Sequence, residues 1–356
     1  MKKFFWVSIP MLLSLGIMGW LIFSSWQDLN TVMRNVTPGF LALSFVFSVA
    51  TYTFIGFSLW EILRLIGYRL PILEVVGIAF VSTTANYFVS SAGISGFALR
   101  AHLLRKRHVP YAATVTASVV ITVLLYGVLA LIVFQGFLFQ LLQSRGADMR
   151  MLEGMMGVLI PMSFAFLVGA VFFHHELRAR WSRRLFRSTN HVIYFFSRKE
   201  IPPESFDQFE KQLEKGIHLI HQKKRELTRA VSYVCADWVF NLLILFFAFR
   251  AIGIHIGPGQ LIIGFTVGMV ATLIPILPGG LGAMEATMTA VYAQMGIPWG
   301  SALMASLIFR FTYHVFPSFL SIFFYWGLKV SEPAGFPSGI GKRLDRHGTA
   351  PHAANE

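Results

Sequence analysis

Three ionisable residues lie within apolar segments of this chain, where a charge is costly. Asp237 and Arg310 each fall well inside a long apolar run, and Glu285 directly follows a glycine-rich sequence. A charged side chain near the centre of a membrane helix costs roughly 3 kcal/mol on insertion scales. These residues are therefore the first candidates for binding a charged substrate, forming a buried ion pair or carrying a proton.

Two arginines supply the chemistry for binding an anionic headgroup. Arg310 lies in the last apolar run, and Arg100 closes an earlier apolar segment. Because a guanidinium group donates two parallel hydrogen bonds to a phosphate, we predict that both bind phosphate from opposite ends of a polar cavity. Glu285 and Asp237 would neutralise Arg310 in the empty site or carry a coupling proton. The alternatives are a buried ion pair that only joins helices and, for Arg100, an anchor at the membrane interface.

Further candidates lie one helical turn from these charges or at glycine-rich breaks. Residues three or four apart share a helix face, which places Asn241 beside Asp237 and His314 beside Arg310. A helix-packing role fits the histidine as well. The predicted substrate-binding set is completed by Asn86, Asn241, Tyr313, His314, Gly93, Gly96, Gly279, Gly280 and Gly282.

The glycines belong to two long apolar segments, 72–100 and 260–297, that are each interrupted by small residues. The interruptions are 90–96 and 275–282. A plain anchor has no use for them, because unsatisfied backbone groups cost several kcal/mol each in hydrocarbon. Paired broken helices indicate a transporter's binding site, and the helix N-termini at the breaks offer N–H donors to an anion.

The composition is that of a membrane protein with many spans. Hydrophobic residues make up 55% of the chain, charged residues 13%, and the mean hydropathy is +0.62. We predict an all-α polytopic fold in which about six full transmembrane helices accompany the two broken segments as re-entrant hairpins. The six apolar runs are 4–23, 39–60, 111–139, 155–174, 229–252 and 300–328.

The basic residues predict the orientation in the membrane. They concentrate at the N-terminus, in 61–71, 100–110 and 175–228, and in the C-terminal tail. Basic loops face the cytoplasm and its anionic lipids, so the net charge of +13 does not indicate nucleic acid. Segment 72–100 then enters from the cytoplasm and segment 260–297 from outside. We predict an inverted repeat of 39–139 and 229–328 within a membrane domain, 1–330.

Three other features have structural interpretations. The insert 175–228 is predicted to form two cytoplasmic amphipathic helices, the second beginning near Glu204, which serve as an interfacial collar or a docking site. The polar tail 331–356 is predicted to be disordered. Cys235, inside an apolar run, is predicted to be a buried, inert thiol.

The sequence carries no recognisable catalytic motif. His174, His175 and Glu176 lack the H-E-x-x-H spacing of a zinc protease. No G-x-S-x-G motif, Walker loop or paired acidic metal motif is found. We therefore predict no enzyme activity, no metal and no cofactor.

The residues around the breaks resemble a known family. Asn86, Gly96 and Arg100 match an N-x-x-x-S…G-x-x-x-R block. Glu285 ends a P-G-G-x-G-x-x-E block, and a proline follows Arg310 in the last apolar run. These blocks are similar to those of the transmembrane region of lysylphosphatidylglycerol synthases and of related flippase-like membrane proteins.

The resemblance implies that the chain moves an anionic phospholipid or a polyprenyl-linked lipid across the bacterial cytoplasmic (inner) membrane. Phe97 stands where many members have an acidic residue, so acid-assisted headgroup recognition is not expected there. The synthases also carry a soluble aminoacyl-transferase domain after the membrane part. This chain ends at residue 356, so it is not expected to make aminoacylated lipid.

Two other functions fit the same residues. A secondary transporter of a small anion or amphiphile would use the same site. A membrane subunit that presents lipid to a separate transferase would use the basic insert for docking.

Overall fold

The computed structural model describes most of the membrane part of the chain. The described residues are 16–88, 94–143, 203–272 and 280–331, with parts of 163–184. They form helices and connecting turns without a strand, which confirms the all-α class. The predicted runs 4–23 and 155–174, the first insert helix and the tail beyond 331 lie wholly or mostly outside these residues.

The described helices range in length from 8 to 33 residues. Their bounds are α1 Trp26–Met33, α2 Pro38–Leu65, α3 Ile72–Phe88, α4 Ile94–Arg105, α5 Tyr111–Gln143, α6 Pro203–Gln222, α7 Lys224–Ala251, α8 Pro258–Ala271, α9 Ala283–Gln294, α10 Trp299–Arg310 and α11 Phe316–Val330. Within the described residues, four stretches are long and apolar enough to cross a membrane: α2, Tyr111–Gln135 of α5, Arg225–Ala251 of α7, and Trp299–Val330. They agree with four of the predicted runs.

Helices α2 and α7 form the central contact of the bundle. The Ser44 hydroxyl donates to the carbonyl of Ile244 (3.1 Å), and seven residues later the Thr51 hydroxyl donates to the carbonyl of Asp237 (2.9 Å). Because the partners are also seven residues apart, in reverse order, the two helices are antiparallel in a single register. Small hydroxyl side chains at such positions let membrane helices approach closely.

Each broken segment contains a pair of shorter helices, and the start of the first helix lies beside the end of the second. Helices α3 and α4 pack together, and an ion pair joins Glu74 at the start of α3 to Arg107 just after α4. Helices α8 and α9 also pack together, and the Gln260 amide near the start of α8 donates to the carbonyl of Met295 just after α9 (3.4 Å). Within each pair, the chain therefore ends close to where it began.

The helix pairs also pack against distant spanning helices. Helix α3 contacts α11, where the hydroxyls of Thr84 and Ser321 are 2.7 Å apart, and α8 contacts α5. The first pair is thus held by the last helix of the described chain, and the second pair by a helix from the first part of the chain.

A proline distorts the last spanning stretch. The stretch is α-helical except for a π-helical turn at Phe311–Val315, immediately before Pro317. Pro317 has no N–H group to donate to a carbonyl earlier in the helix. In an α-helix that carbonyl would be the one of Tyr313, four residues earlier. In a π-helix it would be the one of Thr312, five residues earlier. Such carbonyls need another donor in an apolar environment.

Hydroxyl groups of α2 satisfy both carbonyls. Ser48 donates to the Thr312 carbonyl (2.6 Å), and Tyr52, one turn later, donates to the Tyr313 carbonyl (2.9 Å). Ser48 and Tyr52 are buried. The distortion near Pro317 is therefore matched by donors that lie on one face of a neighbouring helix.

Two predictions outside the bundle core have different outcomes. Helix α6 confirms the second amphipathic helix of the insert, and its apolar residues Leu213 and Ile217 pack against Ala112 and Phe172 rather than facing lipid. The prediction of a buried thiol is wrong, because Cys235 is exposed on α7. It lies one turn before an exposed valine, on the side of α7 that faces away from the bundle.

We expect Tyr52→Phe to lower the free energy of unfolding by about 1–3 kcal/mol, because it leaves the buried Tyr313 carbonyl without its donor. Tyr233→Phe is the matched control, since its hydroxyl makes no hydrogen bond to a described residue and its ring packs on Phe54 and Phe57. Unfolding by a denaturing detergent measures both. In a Pro317→Ala background the loss should shrink, because the restored N–H can reach the carbonyl. An equal loss in both backgrounds would contradict this account.

Candidate functional site

A buried ion pair joins α9 to α10. Arg310 and Glu285 are 5% and 0% exposed, and the Arg310 Nε–H donates to the Glu285 carboxylate. The Arg310 Nη2 group also donates to the Gly280 carbonyl (3.1 Å), and the other Glu285 oxygen accepts the Gly282 N–H (2.7 Å). The guanidinium is thus held against the end of the second break.

Local sequence explains why Glu285 lies there. It is the third residue of α9, and its bond to the Gly282 N–H is the carboxylate half of a capping box. A negative charge at this position also stabilises the positive end of the helix dipole. Gly280 has a φ of +65°, and a Cβ there would lie 2.7 Å from the Thr272 Cα, so both conformation and space require glycine. Gly279 lies outside the described residues.

Asp237 has a different set of partners. Its carboxylate accepts from the Thr51 hydroxyl (2.9 Å) and from the Asn241 amide (3.2 Å), and the same amide donates to the Thr51 hydroxyl (3.0 Å). Asp237 and Asn241 are each 2% exposed. The predicted neighbours are together, but Asp237 forms no ion pair with Arg310 in the described part of the chain.

An aromatic cluster lies between the two charged groups. The Tyr87 hydroxyl donates to the Tyr313 hydroxyl (3.0 Å), and the Tyr87 ring packs edge-on against His314 with centroids 4.3 Å apart. Tyr87 is within electrostatic reach of both Asp237 and Arg310. The structure therefore brings the predicted residues Asp237, Arg310, Tyr313 and His314 into one neighbourhood.

His314 is buried without a hydrogen-bond partner. Both ring nitrogens are buried and make no hydrogen bond among the described residues, and His314 is only 4% exposed to solvent. Native structures rarely leave such groups unsatisfied, and the exceptions often mark functional positions. His314 is therefore a stronger candidate than its sequence position alone suggested.

The first break is held by a side-chain cap. The Asn86 side-chain oxygen accepts the Gly96 N–H (2.7 Å), and the Ser95 hydroxyl donates to the Ala85 carbonyl (3.1 Å). A Cβ on Gly96 would collide with the Asn86 amide and the Ser82 carbonyl. Asn86 thus closes the α3–α4 pair by capping the start of α4. Gly93 lies outside the described residues.

Arg100 lies at a different interface from Arg310. Its guanidinium donates to the hydroxyls of Ser82 on α3 (3.2 Å) and Ser118 on α5 (3.4 Å). No ion pair links it to an acidic residue in the described ranges. The described partners of the two arginines belong to different helices, and binding of one headgroup from opposite ends of a cavity stays a prediction.

A groove opens beside the aromatic cluster. It has a volume of about 630 Å³ and runs between the first helix pair and the last spanning stretch. Its floor includes the hydrogen-bonded hydroxyls of Thr84 and Ser321. The lining residues are Val81, Thr84, Ala85, Leu99, Val315, Ser318, Phe319, Ser321, Ile322 and Tyr325.

Several contributors were missed at the sequence level. Ser48, Thr51 and Tyr52 of α2 hold the π turn and Asp237, and Tyr87 of α3 contacts Tyr313 and His314. The recurrence of Ser44, Ser48 and Thr51 on one face of an apolar helix was the signal available. No three His, Cys, Asp or Glu residues group as metal ligands in the described part of the chain.

Comparison with known proteins identifies the family. A family model for the lysylphosphatidylglycerol synthase transmembrane region matches residues 8–321. The chain belongs to this family. A UPF0104 membrane protein of Methanothermobacter thermautotrophicus is 24% identical over 330 residues, which cover 87% of this chain and 90% of that protein. With the apolar helices, membership makes the chain a multi-pass integral membrane protein of a family linked to lipid handling.

The chain is also similar to a short part of two longer enzymes. The phosphatidylglycerol lysyltransferase of Staphylococcus aureus strain MRSA252 is 24% identical over 88 residues. These cover 25% of this chain and only 10% of the enzyme, and the strain COL enzyme gives the same values. The similarity to these enzymes therefore concerns a small part of each enzyme.

We expect Glu285→Gln to lower the free energy of unfolding by about 3–5 kcal/mol, because it leaves Arg310 buried without its counter-charge. Glu226→Gln is the matched control, since Glu226 is also in the first turn of a helix but is exposed. Denaturing-detergent titrations of both variants make the comparison. Similar losses for the two variants would show that the ion pair contributes little.

Proposed function

We propose that the chain is a non-enzymatic lipid translocator that moves an anionic phospholipid or a polyprenyl-linked lipid between the leaflets of the cytoplasmic membrane. The observation that carries the proposal is the buried Arg310–Glu285 pair at the second break, within a family linked to lipid handling. A phosphate can replace the Glu285 carboxylate at the guanidinium, because both offer pairs of anionic oxygens that fit the planar fork of arginine. The ion pair then represents the empty site.

The packing supports an inverted repeat. Helices α2 and α7 are antiparallel partners, α3–α4 and α8–α9 are helix pairs, and α5 and the Trp299–Val330 stretch complete the two units. Each unit's long final helix packs against the other unit's helix pair. We infer two re-entrant hairpins that enter from opposite faces, an arrangement suited to alternating access.

The groove beside the aromatic cluster supplies a place for a lipid tail. Phe319 and Ile322 on its outer edge are 57% and 55% exposed, and Val315 on its wall adjoins His314. In this arrangement the apolar tail lies in the groove while the headgroup reaches toward Arg310. The apolar lining matches hydrocarbon, whereas a small soluble anion would gain nothing from it.

The inverted repeat predicts opposite accessibility for two exposed histidines, His102 on α4 and His255 before α8. Each is replaced by cysteine in a Cys235→Ser background, because the native thiol is exposed. We expect a membrane-impermeant thiol reagent to label His102→Cys from the cytoplasmic side and His255→Cys from outside. Labelling of both from one side would exclude the inverted repeat.

We expect Ala85→Trp to reduce lipid movement between leaflets of reconstituted liposomes by roughly tenfold, equivalent to about 1.4 kcal/mol in the barrier, because the indole fills the groove. Val46→Trp, on a 60% exposed position of α2, is the control and should leave the rate unchanged. Arg310→Ala should abolish movement of anionic lipid. The readout is the fraction of labelled lipid that a membrane-impermeant quencher can reach.

Three results would change the proposal. Accumulation of a soluble anion without lipid movement would favour a secondary transporter. Absence of any transport together with co-purification of a transferase would favour a lipid-presenting subunit. Equal rates of lipid movement for Ala85→Trp and the native chain would show that the lipid does not pass through the groove.

A further inference from the structure

Asp237 is the exception among the buried acids of the described residues. Glu61 and Glu285 are equally buried, and each is paired with an arginine: Glu61 with Arg64 (2.7 Å) and Glu285 with Arg310. Asp237 has only neutral partners, a hydroxyl and an amide. A buried carboxylate without a counter-charge is expensive, and binding a proton removes the charge.

We propose that Asp237 is a proton-binding site that takes up and releases a proton during transport. The inference rests on the proposed function for its role, but the site itself can be tested without a transport assay. Thr51 and Asn241 stabilise the ionised form by donating to it, and burial favours the neutral form. Opposing effects of this kind make both states accessible.

The groups around Asp237 do not neutralise it. Tyr52 of α2, Tyr87 of α3 and Tyr313 of the π turn are within its electrostatic reach, and each brings a neutral hydroxyl. Tyr126 of α5 faces Tyr87, Tyr233 lies one turn earlier on α7, and α8 carries no ionisable residue. Helix α6 meets α7 through the apolar residues Ile220, Leu227 and Ala230, near the start of α7.

Arg310, which lies near this cluster, is already paired with an acid. Arg310 lies within reach of Tyr87 and His314, but its charge is matched by Glu285. His314 itself lies beside Tyr87 and Tyr313 without a hydrogen-bond partner among the described residues. The tyrosine hydroxyls and the histidine therefore connect the Asp237 side of the cluster to the Arg310 side.

Protonation changes the charge that a headgroup meets. When Asp237 and Glu285 are ionised and Arg310 is positive, one negative charge remains in the neighbourhood, and it opposes an anion. When Asp237 is protonated, the three groups are neutral together. An anionic headgroup should then bind more tightly at low pH, and, by linkage, its binding should favour proton uptake.

Infrared difference spectroscopy tests the site directly. Purified protein in lipid nanodiscs is compared between alkaline pH and a mildly acid pH at which exposed carboxylates are still ionised, and we expect the carbonyl band of a protonated aspartic acid to appear. Asp237→Asn should lose this band. Asp28→Asn, which changes an exposed aspartate at the end of the bundle near Gly300, should retain it. No band in the native chain at any pH, or its retention in Asp237→Asn, would overturn the proposal.

A second variant protects the test against misfolding. Asn241→Ala keeps the carboxylate but removes a donor to its ionised form, so the band should persist to a higher pH than in the native chain. A midpoint unchanged by Asn241→Ala would contradict the assigned contacts. A band that responds to sodium concentration at constant pH would show that Asp237 binds a metal cation, and it would contradict the proposal of a proton-binding site.

The liposome assay separates this inference from the proposed function. Lipid movement by the native chain should accelerate in acid, whereas Asp237→Asn should move lipid at a rate independent of pH. A titrating band without any lipid movement would leave the proton site standing and refute the translocator. Lipid movement that depends equally on pH in both chains would refute the role of Asp237.

Discussion

Polar groups inside this bundle must be satisfied by other parts of the chain, because hydrocarbon offers them no hydrogen bonds. The constraint explains the main contacts around the site. Pro317 deprives nearby carbonyls of a donor, and the hydroxyls of Ser48 and Tyr52 replace it. Arg310 is held by Glu285 and by a glycine carbonyl at the second break. Hydrogen-bonded polar groups therefore determine which helices contact each other inside the apolar bundle.

The same constraint gives the site its chemical character. In the proposed function, a phosphate that binds the Arg310 Nε–H would take the place of the Glu285 carboxylate, so binding there would exchange one acceptor for another. The other Glu285 oxygen accepts the Gly282 N–H at the start of α9, and this bond does not depend on Arg310. We would therefore expect the helix terminus to keep this partner during such an exchange.

The sequence predicted local relationships well and interhelical ones less well. Helical spacing placed Asn241 beside Asp237 because both lie on one helix, and the cost of intramembrane charge singled out Arg310. Spacing along the chain does not determine which helices meet, so the hydrogen bonds of Arg100 to Ser82 and Ser118 could not be predicted. Cys235 was assigned to the interior because an apolar run gives no indication of which face meets lipid.

The seven-residue register between α2 and α7 limits how these helices can move. Two hydroxyls are bonded to two carbonyls at the same spacing, so a slide of one or two residues would break both of these hydrogen bonds. The next carbonyl on the same face of a helix lies one turn, or about 5.4 Å, along the axis. A slide between these helices therefore has to break both interhelical bonds before new ones can form. The register favours α2 and α7 as the unit of the bundle that keeps its internal arrangement.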